Sequence, residues 1–149
     1  MIYIGADHAG FELKETLKDF FRLQTIEFED VGQKTMEPGD DFPIITHKLV
    51  EKVLSGGEKS LGILLCGTGT GVCIAANKHK GIRAGIGYNL AAAETMRSED
   101  DANILCLAGR VLQPDFARAI VRKFLDTKFS GEERRVRRLK QIEECESHS

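Results

Sequence analysis

Residues 60–71 read Ser-Leu-Gly-Ile-Leu-Leu-Cys-Gly-Thr-Gly-Thr-Gly, an apolar run that ends in a cysteine and breaks into alternating glycines. An Ile/Leu-rich run of this length fits a strand buried on both faces, which confines it to the interior of a sheet covered by helices. The glycines permit a tight turn that a ligand or another backbone can approach closely. A helix beginning near Thr70 aims its free N–H groups and the positive end of its dipole back at the turn, so an anion is stabilised beside Cys66.

The rest of the chain fits the same plan. Residues 1–6 read as a first strand, Asp7-His8-Ala9-Gly10 breaks the pattern, and Leu13, Leu17, Phe20 and Phe21 mark one face of a helix. Residues 25–31 alternate like an edge strand, and the polar loop from Gly32 to Asp41 is long enough to be functional. Phe42-Pro43 opens a helix with Ile45, Leu49 and Val53 on one face, closed by Ser55-Gly56-Gly57. After the glycine turn come a short helix over residues 72–78, a fourth strand over 82–88, a helix over 90–98 and a fifth strand over 103–108. Pro114 opens a helix whose apolar face is Ala117, Ile120, Val121, Phe124 and Leu125. A charged helix over about 132–146 carries Val136, Leu139 and Ile142, and the last few residues look frayed.

Alternating strands and helices imply an α/β three-layer α/β/α sandwich, a Rossmann-like five-stranded parallel sheet expected in the order 2-1-3-4-5. Ligands of such sheets sit at the carboxyl ends of the strands where the strand order reverses, here between the strands ending at Ala6 and Cys66. One domain over 1–149 is expected for a chain of 149 residues.

A net charge of -2 argues against a nucleic-acid or anionic-membrane partner, so any basic function is local. Cys66, Cys73, Cys106 and Cys145 lack metal or disulfide spacing, and no apolar run reaches spanning length, which points to a reduced, cytoplasmic setting. The glycine turn is a poor dinucleotide fingerprint: its order is G-x-G-x-G, it follows the third strand, and no acidic residue ends the next strand near Tyr88. A phosphatase loop fails because Val72 stands where its arginine belongs. An oxyanion cradle beside Cys66 fits better. Asp7 and His8 flank the same switch point, although Asp7 also suits a helix cap. Arg134 and Arg138, four apart, leave one helix face and can fork onto a phosphate, and Arg110 follows the fifth strand at the ligand edge. His47, His79 and His148 receive no role.

Together Gly5-Ala6-Asp7-His8-Ala9-Gly10-Phe11-Glu12-Leu13-Lys14, Asp41-Phe42-Pro43, Cys66-Gly67-Thr68-Gly69-Thr70-Gly71, Ala75-Ala76-Asn77-Lys78, Gly81-Ile82-Arg83 and Asn103-Ile104-Leu105 resemble ribose-5-phosphate isomerase type B. That family also holds the galactose-6-phosphate isomerase subunits, and the resemblance runs from the first strand to about Ile142. It implies cofactor-free, metal-free isomerisation of a phosphorylated sugar, most simply ribose 5-phosphate to ribulose 5-phosphate, through a cis-enediolate. Cys66 would be the base, with Thr68 and Glu99 as further catalytic residues. Gly67, Gly69, Thr70 and Gly71 would hold the enediolate, and Asp7 and Asp100 the sugar. His8, Arg110, Arg134 and Arg138 would hold the phosphate. A homodimer, or a tetramer, would share its active sites, the C-terminal helix reaching the partner.

Three features depart from the family pattern. Glu99 and Asp100 stand where it usually has the ring-opening histidine and an asparagine, Phe42 replaces a tyrosine, and Arg135 replaces a histidine. These imply an altered substrate, such as a galactose or allose 6-phosphate, or a homologue that binds without turnover.

Overall fold

The structure, a computed structural model, describes residues 1–148. Five parallel strands, β1 (Ile2–Ala6), β2 (Phe28–Asp30), β3 (Leu61–Cys66), β4 (Ala84–Ile86) and β5 (Ile104–Ala108), form one sheet. The helices are α1 (Phe11–Leu23), α2 (Phe42–Ser55), α3 (Thr70–Asn77), α4 (Leu90–Ser98), α5 (Pro114–Asp126) and α6 (Glu133–Ser147).

Period-two alternation along the central strands divides the core. Ile4, Ile63, Leu65, Leu105 and Leu107 face α1, α4 and α5, where Leu17, Phe21, Ile120 and Phe124 are fully buried. Tyr3, Leu64, Cys66, Ile104 and Cys106 face α2 and α3, meeting Leu49, Val50, Val53, Val72 and Ala76. The three-layer α/β sandwich is therefore present, and Cys66 belongs to the α2/α3 side.

The strand order is β2-β1-β3-β5-β4, so the last two strands exchange places relative to the expected 2-1-3-4-5. The physical reason is apolar content. Ile104, Leu105, Cys106 and Leu107 are completely buried and need a neighbour on each side, whereas β4 is three half-buried residues and tolerates an edge. The reversal in strand order still falls between β1 and β3.

Two strands are shorter than their sequence pattern suggests. Thr25 sits at φ 54 in the turn that ends α1, and the Ile26 N–H donates back to Phe21 O, so pairing begins only at Phe28. At the other edge, pairing stops at Ile86. The C-terminal helix, Glu133–Ser147, agrees with the expected one to within a residue at each end; Ser149 lies outside the described residues.

One polar cluster sits under α1. Lys14, fully buried, donates to both carboxylate oxygens of Asp30 at 3.2 and 2.9 Å and to Gln33 O at 2.6 Å. Lys18 donates to Asp30 Oδ2 at 2.7 Å, and the Gly32 N–H to Oδ1 at 2.9 Å. Burial acts to raise the Asp30 carboxyl, but the bonds from Lys18, Lys14 and Gly32 outweigh it and hold the group below its usual range. This cluster fixes the start of the loop that runs to α2.

Candidate active site at the switch point

The carboxyl ends of β1, β3 and β5 are tied together by backbone bonds. The Asp7 N–H donates to Leu65 O at 3.1 Å, Gly109 N–H to Cys66 O at 2.7 Å, and Arg110 N–H to Gly67 O at 3.0 Å. A 3-10 turn over His8–Gly10 lies so close to β3 that a Cβ on Gly10 would stand 2.6 Å from Leu65 Cβ. Asp7, 7% exposed, fixes that turn: its Oδ1 accepts the N–H groups of Ala9 and Gly10 at 2.9 and 3.1 Å. The capping role is real, and it leaves Oδ2 without a protein partner among the described residues.

The cradle follows directly from β3. Cys66 is buried, and its Sγ accepts the Gly69 N–H at 3.2 Å. Gly69 sits at φ 77, a left-handed conformation that costs glycine little and turns the chain into α3 at Thr70. Thr68 Oγ1 accepts the Thr70 N–H at 3.3 Å. Phe42, at the start of α2, covers the turn, since a Cβ on Gly71 would stand 2.9 Å from Phe42 Cζ. Behind the cradle Cys106 hydrogen-bonds to Cys73, which brings the Cys73 thiol down to about 7 against the opposing effect of burial. The same bond, with burial, pushes the Cys106 thiol well up.

Two cationic or ionisable side chains border the cradle. The Arg110 guanidinium packs over Gly67, where a Cβ would stand 3.0 Å from Nη1, and no acidic side chain neutralises it among the described residues. His8 is held by Asp40, whose Oδ1 lies 2.9 Å from both the His8 backbone N–H and Nδ1. Sequence reasoning missed Asp40. It stands 32 residues from His8 in an aperiodic loop, and the only signal was the length of that loop.

The other expected site residues are elsewhere in this chain. Glu99 caps the carboxyl end of α4. It precedes β5, whose first residue is at the amino edge of the sheet and whose last, Ala108, pairs with Cys66. The length of that strand, roughly 15 Å, separates Glu99 and Asp100 from the thiol. Arg134 and Arg138 lie on α6, which is held at the same distant edge: Arg135 bonds Glu99 at 2.9 Å, and Glu146 accepts the Gly81 N–H at 3.0 Å. Arg134 pairs with Glu132 at 3.2 Å. Two family departures, Glu99 and Arg135, thus contact each other as an ion pair. Helix α6 buries none of its own residues in the chain.

His47 Nδ1 and His79 Nε2 meet at 3.0 Å on the surface between α2 and the end of α3. Among the described residues no three His, Cys, Asp or Glu side chains converge on a metal position, and no helix is long and apolar enough to cross a membrane.

Residues 2–142 match the family model described as Ribose/Galactose Isomerase. The Mycoplasma pneumoniae protein named probable ribose-5-phosphate isomerase B is 42% identical over 130 residues, covering 87% of this chain and 85% of that one. The D-erythrulose-4-phosphate isomerase of Pectobacterium atrosepticum is 35% identical over 130 residues, again 87% and 85% of the two chains. The crystal structure of ribose-5-phosphate isomerase B from Mycoplasma genitalium with bound ribulose-5-phosphate superimposes with a TM-score of 0.94 at 36% identity, covering 99% of this chain and 97% of that one.

Proposed function

The chain belongs to the ribose/galactose isomerase family, its enzymes are intramolecular oxidoreductases of phosphorylated sugars, and we propose that this one interconverts ribose 5-phosphate and ribulose 5-phosphate with Cys66 as the base. The observation that carries the reading is the assembly at one strand edge: a buried Cys66 sulfur receiving the Gly69 N–H, the Asp7–His8 turn beside it, and over the cradle an Arg110 that has no acidic partner among the described residues.

In the forward direction the Cys66 thiolate takes the proton from C2 of the open aldose, and the electron pair of that C–H bond forms the C1=C2 bond of a cis-enediolate. Negative charge gathers on the former carbonyl oxygen. Of the backbone N–H groups of residues 67–71, that of Gly69 is given to Cys66 Sγ and that of Thr70 to Thr68 Oγ1, and the others, fixed before the reaction, stabilise that oxyanion without reorganising. The hydroxyl proton passes from O2 to O1 and the thiol returns its proton to C1, giving the ketose. The free Oδ2 of Asp7 takes a sugar hydroxyl, Thr68 lines the turn, and Arg110 and His8 take the phosphate.

Glu99, Asp100, Arg134 and Arg138 join this site in our reading from a second copy of the chain. Support comes from their position a strand length away from Cys66, and from helix α6, which among the described residues has none fully buried and carries the exposed Ile142 beside the half-buried Val136 and Leu139. For ring opening Glu99 must exchange Arg135 for the sugar.

The test is turnover in deuterated water across a panel of ribose 5-phosphate, D-erythrulose 4-phosphate and galactose and allose 6-phosphates. Ribose 5-phosphate should give the highest kcat/KM, with deuterium entering at the carbon next to the carbonyl. Cys66→Ser should lower kcat by about a hundredfold or more while substrate still binds. Near-normal turnover in that variant removes Cys66 from proton transfer.

A further inference from the structure

Building on the sugar-phosphate reading above, we propose that Asp40 is a positioning residue for that reaction, locking the His8 ring with its proton on Nδ1 so that Nε2 faces the substrate phosphate. Residues 31–41 run from β2 to α2 with no regular structure, a length that is uncommon unless the loop has a task. The end of this loop is pinned by a single carboxylate oxygen. Asp40 Oδ1 is 2.9 Å from the His8 backbone nitrogen and 2.9 Å from Nδ1. An ionised carboxylate only accepts hydrogen bonds, so the ring proton facing it belongs to Nδ1.

The consequences follow from what remains. The Asp40 side chain is 11% exposed and that of His8 is 34% exposed, so the bond is sheltered while the rest of the ring reaches solvent. Nε2 has no protein partner among the described residues. The charged groups around the turn are Asp40, bonded to the ring; Asp7, whose Oδ1 is occupied by the turn; and Arg110, across the cradle. A phosphate bound by Arg110 meets Nε2, which becomes the second donor once the ring takes up a second proton on binding the anion, with Asp40 balancing the resulting imidazolium from the other side. Bonding both the backbone and the ring of His8 removes the ring's freedom before substrate arrives, which strengthens the contact.

Two measurements test this. Long-range proton–nitrogen correlation in the free protein should find the His8 ring proton on Nδ1, and Asp40→Ala should abolish that preference. In steady-state kinetics Asp40→Ala should raise KM for ribose 5-phosphate roughly tenfold, the worth of about one charge-assisted hydrogen bond, with kcat changed less than about threefold. Asp40→Asn, whose amide oxygen still accepts both N–H groups, should recover most of the loss. In a His8→Ala background Asp40→Ala should add nothing, because Asp40 acts through His8. The proposal is overturned by a proton resting on Nε2 of the wild-type ring, by a KM within twofold of wild type in Asp40→Ala, by an Asn variant no better than Ala, or by additive effects with His8→Ala. If the wild-type protein turns over no sugar phosphate, the functional reading fails, while the ring tautomer still decides the role of Asp40.

Discussion

Replacing Asp30 by alanine should be among the most damaging single changes outside the hydrophobic core. Its carboxylate holds two ammonium groups. Lys14 Nζ gives it bonds of 3.2 and 2.9 Å and Lys18 one of 2.7 Å. Without Asp30, Lys18 keeps Glu15 at 2.9 Å, whereas Lys14, at 0% exposure, is left with Gln33 O at 2.6 Å, the Phe11 ring at 4.9 Å and Glu15 at 3.6 Å. Breaking a buried pair by removing one partner costs about 3–5 kcal/mol, because a buried charge remains uncompensated. For a chain of this size each kcal/mol lowers Tm by about 2–4 °C, so Asp30→Ala should melt roughly 6–20 °C below wild type in calorimetry at neutral pH. The double variant Lys14→Met with Asp30→Leu removes the stranded charge and should recover most of that loss. The difference also has a pH signature. The folded-state carboxyl lies below its unfolded value, so its contribution is complete above the ordinary carboxylate range and fades as pH falls toward the folded value. The gap between wild type and Asp30→Ala should therefore be flat around neutrality and close in strong acid. A Tm within about 2 °C of wild type for Asp30→Ala, or a double variant no more stable than the single one, refutes the reasoning.

Two further outcomes are expected. Alkylation of Cys73 by iodoacetamide should rise with pH through a midpoint of about 7, because the Cys106 hydrogen bond favours its thiolate; in Cys106→Ala the midpoint should move up, and peptide mass spectrometry distinguishes Cys73 from Cys66. If active sites are shared between two copies, Cys66→Ser protein and Arg134→Ala/Arg138→Ala protein should each be nearly inactive alone. Refolded together in equal amounts they should regain about a quarter of wild-type activity, since half of the dimers are mixed and each mixed dimer holds one intact site. No recovery on mixing argues against sharing.

Much of the site could be read from sequence because its parts are local. The run from Leu61 through Gly71 dictates a buried strand, a thiol at its end and a glycine turn into a helix, and the structure places Cys66, Gly69 and Thr70 in those roles within a few residues of one another. Asp7 as the cap of its own turn is equally local, the N–H groups that donate to it being two and three residues away. The three-layer class followed from strand and helix periods in the same way. The exchange of β4 and β5 did not, because chain order says nothing about which strand tolerates an edge. That is decided by how many faces and neighbours each run must cover, and the fully apolar Ile104–Ala108 strand takes the interior.

Longer relations belonged to the tertiary structure alone. Sequence spacing could not tell that Glu99 and the α6 arginines lie at the amino edge while Cys66 lies at the carboxyl edge, since strand direction and register set that separation. It could not pair Asp40 with His8 across 32 residues, or Lys14 with Asp30 across 16. Sequence by itself fixed what lies within one turn or one strand, where covalent geometry restricts the choices. Packing decided which distant side chains meet, because only a closed core brings their backbones to a fixed distance.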